Sequence, residues 1–266
     1  MRTHRATLCA VTRAPAQPDT PSQLDFSTRS VTVDGYEVVA RLLGEGEQAF
    51  VLVHGLGMSS YYFRPLARLL AAHGRVLVLN LPGFGPTKDP DAGLRIGQFA
   101  RVARLAAQEL GAGSGAVWVG HSMGTQVVVE AVRQDPSLAD RVVLLAPVIN
   151  DAEGGLGVVV RRFCQAAVHE PPRSMLATGY SLLRAGPWYM AEILPALLRY
   201  QLAEHLGELD CEAVLVGGQK DALTPVSWLK RLAASGRRCS YHVVAGASHQ
   251  MMHSHPQQTA QLVLGR

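Results

Sequence analysis

The chain has 266 residues, 48% of them hydrophobic and 17% charged, a balance that excludes a disordered polypeptide and suits one large domain with a full core. The net charge of +4 is carried almost wholly by scattered arginines, with Lys88, Lys220 and Lys230 the only lysines, which argues against nucleic acid as a partner. Cys9, Cys164, Cys211 and Cys239 form no C-x-x-C pair, so neither a disulfide scaffold nor a zinc or redox motif is indicated; reduced thiols in a cytoplasmic protein are expected.

Residues 1–26, rich in Arg, Thr, Ala and Pro, show no period and are expected to form a flexible tail. The apolar run 8–11 is too short for a signal-peptide core, and no stretch reaches the length of a membrane-spanning helix. Strand-like runs at 30–33 and 36–43 flank Asp34-Gly35, which favours a tight type I′ hairpin because both residues take positive φ at little cost. Residues 48–53 make a short continuous apolar strand, the pattern of a sheet covered on both faces. It ends in the Gly-rich turn His54-Gly55-Leu56-Gly57-Met58. The spacing of Phe63, Leu66, Leu69 and Leu70 predicts a helix over 61–72, with Ser59 or Ser60 as its cap. A buried strand at 75–79 and the loop Leu81-Pro82-Gly83-Phe84-Gly85-Pro86 come next, then a helix at 96–110 with Phe99, Val102, Ala103, Ala106 and Leu110 inward.

A β-branched and aromatic run at 117–119 meets Gly120-His121-Ser122-Met123-Gly124, and 125–133 reads as a buried helix. Ser122 therefore falls on a sharp strand-to-helix turn with the pattern G-x-S-x-G, which closes only if the positions two before and two after the serine lack side chains. Another apolar strand, 141–146, ends at Pro147. From 151 to 207 the pattern turns helical, broken at Pro171-Pro172, Pro187 and Pro195, and reads as an insertion over the sheet rather than a separate domain. Strand 213–216, helix 227–234, strand 240–244 and a last helix over 248–264 complete the chain. Strands and helices taking turns imply an α/β fold, a mostly parallel sheet with helices on both faces.

Binding sites in such sheets form at the carboxyl ends of the strands. A serine hydroxyl is a weak nucleophile at neutral pH and needs a base within hydrogen-bond reach, which in turn needs a carboxylate to hold its tautomer. Loops that follow strands supply Ser122, Asp221 (in 217–225) and His249 (in 246–250), in that order. Acyl transfer also needs backbone donors for the developing oxyanion, and the N–H groups of Met123 and Leu56 are placed to serve. Asp151 is the alternative acid, while His253 and His255 compete with His249 from the last helix; Asp210 and Glu212 precede their strand and lie at its wrong end. His54 and His121 flank the turns as candidate substrate contacts. Trp188 and Met190, in the apolar helical stretch, are expected to line a pocket above Ser122 for an apolar or aromatic small molecule.

With these residues in place, the chain resembles the α/β-hydrolase family over roughly residues 27–266: the His-Gly turn at 54, the Gly-His-Ser-Met-Gly turn, the loop Asp221-x-x-x-Pro225 and the loop Gly246-x-x-His249. The resemblance implies an eight-stranded sheet formed by 27–150 and 208–266, with a helical cap at 151–207 inserted after the sixth strand. It implies a cofactor-free, metal-free Ser122-His249-Asp221 triad that cleaves a small or medium carboxylic ester through an acyl-enzyme, in a monomer or homodimer. A thioester, a lactone or a carbon-carbon bond fits the same machinery, and the fold also accommodates a binding protein of slow turnover or a cofactor-independent perhydrolase. Relatives with an aspartate nucleophile, such as dehalogenases and epoxide hydrolases, are argued against by Ser122. Many relatives carry Asp where Asn80 stands; that acid is structural in most of them, so the departure leaves the chemistry untouched.

Overall fold

The structure, a computed structural model, describes residues 25–148 and 186–266 together with Gln165, Gly179, Leu183 and Arg184. Strands β1 (Ser27–Val33) and β2 (Tyr36–Leu43) form the expected antiparallel hairpin, closed by Asp34 and Gly35 at φ 51° and 80°. β3 (Ala49–Val53), β4 (Arg75–Asn80), β5 (Ala116–His121), β6 (Ala139–Leu145), β7 (Glu212–Gly218) and β8 (Cys239–Val244) complete one eight-stranded sheet of order β1-β2-β4-β3-β5-β6-β7-β8. β2 runs antiparallel to β4, and from β4 onward every pairing is parallel.

The strands read as continuous apolar runs because both faces of the sheet are covered. Val51 and Val53 of β3, Leu77 and Leu79 of β4, and Val142 and Leu144 of β6 enter one core. Their neighbours Phe50, Leu52, Val76, Val78, Val143 and Leu145 enter the other. The first core is closed by α2 (Ile96–Glu109), α3 (Met123–Gln134), α4 (Pro187–Arg199), α5 (Leu202–Gly207) and α6 (Val226–Ser235). The second is closed by α1 (Arg64–Leu70), α7 (Met251–Ser254) and α8 (Pro256–Leu264). This is the arrangement that strand alternation with a period of two produces when helices lie on both sides.

Three helical expectations change. The helix foreseen over 61–72 begins as a 3-10 turn, Ser60–Phe63, capped by Ser59, and becomes α-helical only at Arg64. The last helix is two, because His255 precedes Pro256 and takes φ −132° and ψ 54°; the proline ring disfavours helical geometry at the residue before it. Pro195, expected as a break, instead lies inside α4, where Ile193 and Leu197 on either side are buried. Packing of that face outweighs one missing N–H. α4 and α5 share the core of the sheet, with Tyr189, Ile193, Leu197, Tyr200, Leu202 and Leu206 all part of it. Among the described residues no helix is long and apolar enough to cross a membrane.

The chain passes from β3 to β4 on one side and then to β5 on the other side of β3, so the β3 and β5 loops flank the point where the strand order reverses. Crevices of this kind are where open α/β sheets hold ligands.

Candidate active site

Ser122 stands at the junction of β5 and α3 with φ 55° and ψ −121°, a conformation that costs a residue with a side chain about 1–3 kcal/mol. Glycine on either side makes room for it. A methyl group on Gly120 would lie 2.6 Å from the Gly124 carbonyl carbon, and one on Gly124 would lie 2.7 Å from the His54 carbonyl oxygen. Neighbouring bonds hold the turn: the Ser122 N–H donates to the Leu145 carbonyl at 3.0 Å, and Thr125 Oγ1 donates to the Ser122 carbonyl at 2.7 Å. The first turn of α3 has no side-chain cap and no acid, which leaves its N–H groups, Met123 among them, with the partial positive charge of a helix N-terminus.

β3 brings the second loop against this turn. Gly55 approaches so closely that a methyl group there would lie 2.8 Å from Ser122 Cβ. Leu56 follows it, and among the described residues its N–H has no hydrogen-bond partner. His54, a candidate substrate contact by sequence, has another occupation. Its ring is fully buried, Nε2 accepts the Leu81 N–H at 3.1 Å, and Nδ1 donates to the Gly55 carbonyl at 2.8 Å. Burial lowers its pKa to about 4, so it is a neutral clamp on the loop with no nitrogen left for a ligand.

Asp221 and His249 meet at the ends of β7 and β8. His249 Nδ1 lies 2.8 Å from Asp221 Oδ2, and the carboxylate is fully buried. Its other oxygen accepts the N–H groups of Leu223 at 2.9 Å and Thr224 at 3.3 Å, an Asx turn that aims the carboxylate at the histidine. A carboxylate partner places the proton on Nδ1 and makes Nε2 the basic nitrogen of the ring. Asp151, the alternative acid, lies outside the described residues. His253 sits instead beside the rings of Tyr61 and Tyr62, at 6.2 and 6.1 Å. His255 Nδ1 pairs with Ser254 Oγ at 2.9 Å.

Residues without a motif hold these loops in place. Thr224 Oγ1 and Trp228 Nε1 both donate to the Pro147 carbonyl, at 3.2 and 3.0 Å, tying the Asp221 loop to the end of β6. Gln219 Oε1 accepts the Gly246 N–H at 2.9 Å, and the Lys220 N–H donates to the Ala247 carbonyl at 2.8 Å, joining the Asp221 and His249 loops. Only the position of Thr224, Gln219 and Trp228 in or beside the acid loop could have pointed to them.

His121 is fully buried, with Nε2 3.0 Å from the His249 carbonyl oxygen. Trp188 is 83% exposed at the start of α4 and Met190 is half-buried; between them Tyr189 turns inward and donates its hydroxyl to the Pro82 carbonyl at 2.9 Å. A cleft of about 610 Å³ between α2, α3 and α4 is lined by Arg95, Glu130, Arg133, Arg199 and others, but by none of Ser122, Asp221 and His249. Among the described residues no group of three or more His, Cys, Asp or Glu could hold a metal ion. Burial raises the thiols of Cys211 and Cys239 to about 11, which keeps both protonated and poorly nucleophilic.

The family model of the alpha/beta hydrolases matches residues 50–262, from β3 to the last helix. The chain belongs to the alpha/beta hydrolase family. Among curated proteins, this alpha/beta hydrolase is 28% identical over 232 residues to the biotin biosynthesis bifunctional protein BioHC of Cellvibrio japonicus, a match covering 78% of this chain and 45% of that protein. The hydrolase thus spans less than half of that relative's length. It is 24% identical over 246 residues to a pimeloyl-[acyl-carrier protein] methyl ester esterase of Xanthomonas oryzae pv. oryzae, covering 83% of this chain and 94% of that enzyme. Among solved structures, Est816, an N-acyl homoserine lactone degrading enzyme, superposes with a TM-score of 0.79 at 18% identity over 89% of this chain and 99% of that one, a likeness of fold alone.

Proposed function

We propose that this alpha/beta hydrolase is a cofactor-free serine hydrolase that cleaves a small or medium apolar carboxylic ester through an acyl-enzyme. The observation that carries the reading is the buried pair of Asp221 and His249, 2.8 Å apart, on loops joined to the strained Ser122 turn. Ser122 Oγ attacks the ester carbonyl while His249 Nε2 takes its proton; Asp221 holds the tautomer and stabilises the imidazolium. The Leu56 and Met123 N–H groups receive the oxyanion, a contribution worth about 3–4 kcal/mol of barrier for each donor. The tetrahedral intermediate collapses, the C–O bond breaks, and the imidazolium gives its proton to the leaving alkoxide. Water, deprotonated by the same nitrogen, then attacks the acyl-serine and releases the acid.

The relative named as a methyl ester esterase supports a bond between an acyl carbon and oxygen as the target. A thioester would pass through the same steps. Residues 27–150 and 208–266 are read as the catalytic core and 151–207 as the helical cap above it, with Met190 toward its pocket. Phosphonylation by a fluorophosphonate, located by peptide mass spectrometry, tests the nucleophile: an adduct on Ser122 that disappears in Ser122→Ala is expected. A folded protein that takes up no reagent refutes the reading. A series of p-nitrophenyl esters of rising chain length then selects the acyl group.

A further inference from the structure

One buried side chain in this region is unaccounted for by the triad. His121 ends β5 between Gly120 and Ser122, and its ring is wholly out of solvent. Nε2 lies 3.0 Å from the carbonyl oxygen of His249, 128 residues away in sequence. A carbonyl only accepts, so Nε2 carries the proton and donates; Nδ1 is the bare nitrogen and has no hydrogen-bond partner among the described residues. The His121 and His249 rings also touch, with centroids 4.9 Å apart and planes inclined by 60°.

Two requirements of general-base catalysis meet at this contact. The base must be held within a few tenths of an ångström of the hydroxyl it deprotonates, and the Asp221 carboxylate holds the His249 imidazole at Nδ1, on one side of the ring. His121, covalently next to Ser122, fixes it from the other. The base must also gain a proton during the reaction without meeting a second charge. His121 stays neutral because burial, and then the proximity of His249, hold its pKa well below the ordinary histidine value; His54, its other titratable neighbour, is likewise buried and neutral.

We propose that His121 is a positioning residue: the bond from its Nε2–H to the His249 carbonyl, together with the ring contact, sets the imidazole of His249 against Ser122. The proposal rests on the reading of Ser122, His249 and Asp221 as a triad. Phenylalanine in place of His121 nearly fills the same space without a donor, and glutamine restores an N–H at a similar reach.

The test compares wild type, His121→Phe and His121→Gln by circular dichroism, by kcat and KM on p-nitrophenyl butyrate from pH 5 to 9, and by the rate of Ser122 phosphonylation. The phenylalanine variant is expected to be folded, to lose about 10- to 100-fold in kcat and phosphonylation rate with KM within about twofold, and to shift the acid limb of kcat/KM. The glutamine variant is expected to recover to within about fivefold of wild type. A folded phenylalanine variant with wild-type kcat and acid limb overturns the proposal, as does a glutamine variant no faster than it. Should the phenylalanine variant not fold, the ring nitrogens of the wild-type protein decide by 15N NMR: His121 as the Nε2–H tautomer supports the proposal, and the Nδ1–H tautomer overturns it. Absence of phosphonylation in wild type refutes the triad itself, whereas equal labelling of wild type and His121→Phe refutes only the role of His121.

Discussion

The substitution Asp221→Asn tests the candidate site through a proton rather than through a lost contact. Asp221 Oδ1 accepts the N–H groups of Leu223 and Thr224, at 2.9 and 3.3 Å. The asparagine oxygen must stay at that position, because a flipped amide would set its NH2 against two donors. The NH2 therefore takes the place of Oδ2, 2.8 Å from His249 Nδ1. Facing a donor, Nδ1 gives up its proton and becomes the acceptor, and Nε2 becomes protonated. The nitrogen meant to receive the Ser122 proton is then blocked, and the carboxylate that offset the imidazolium is gone. The same exchange in a triad on another fold lowers kcat by about 10⁴, which corresponds to about 5.4 kcal/mol of barrier. Stability should change little, since one buried bond is reversed in direction and none is removed. Steady-state hydrolysis of p-nitrophenyl butyrate, with a urea titration as control, measures both. A folded Asp221→Asn variant that keeps more than about a tenth of wild-type kcat refutes this reasoning, and Asp151→Asn measured beside it shows whether the charge comes from there.

Further outcomes are expected elsewhere. Asn80 is fully buried, its Oδ1 accepting the Ser60 N–H at 2.8 Å and its Nδ2 donating to the Val39 carbonyl at 2.7 Å. In Asn80→Asp an oxygen faces the Val39 carbonyl, so the folded state keeps the acid protonated and its pKa rises. The variant should match wild type near pH 4 and lose about 1.4 kcal/mol per pH unit above it, about 4 kcal/mol by pH 7; urea midpoints at pH 5 and 7 that differ equally from wild type would contradict this. His54 has its pKa lowered from 6.5 to about 4. Its share of stability is therefore whole above pH 6.5 and lost as pH falls toward 4, about 3 kcal/mol in all, and His54→Asn should flatten the pH dependence of urea unfolding in that window. Gly124→Ala pushes a methyl group to 2.7 Å from the His54 carbonyl oxygen, and should cost about 1–3 kcal/mol in thermal unfolding along with most esterase activity, because relief of the clash moves the loop beside Ser122.

What the chain reveals on its own is whatever depends on near neighbours. The Asp34-Gly35 hairpin, the continuous apolar strands and the tight turn between Gly120 and Gly124 follow from allowed φ/ψ values and side-chain period, and each lies where those rules put it. Even the split of the last helix is written locally in His255-Pro256, although the apolar period running through it conceals the break.

Tertiary structure decided what lies far apart in the chain. That Asp221 meets His249 depends on β7 and β8 lying side by side, a fact of sheet order rather than of spacing. His54 and His121 look alike in sequence, each beside a glycine at the end of a strand. Only the folded chain shows one spent on Leu81 and Gly55 and the other reaching the His249 carbonyl. The physical reason is that a buried imidazole takes its hydrogen-bond partners from whatever backbone the fold brings near, and no local pattern records which backbone that will be.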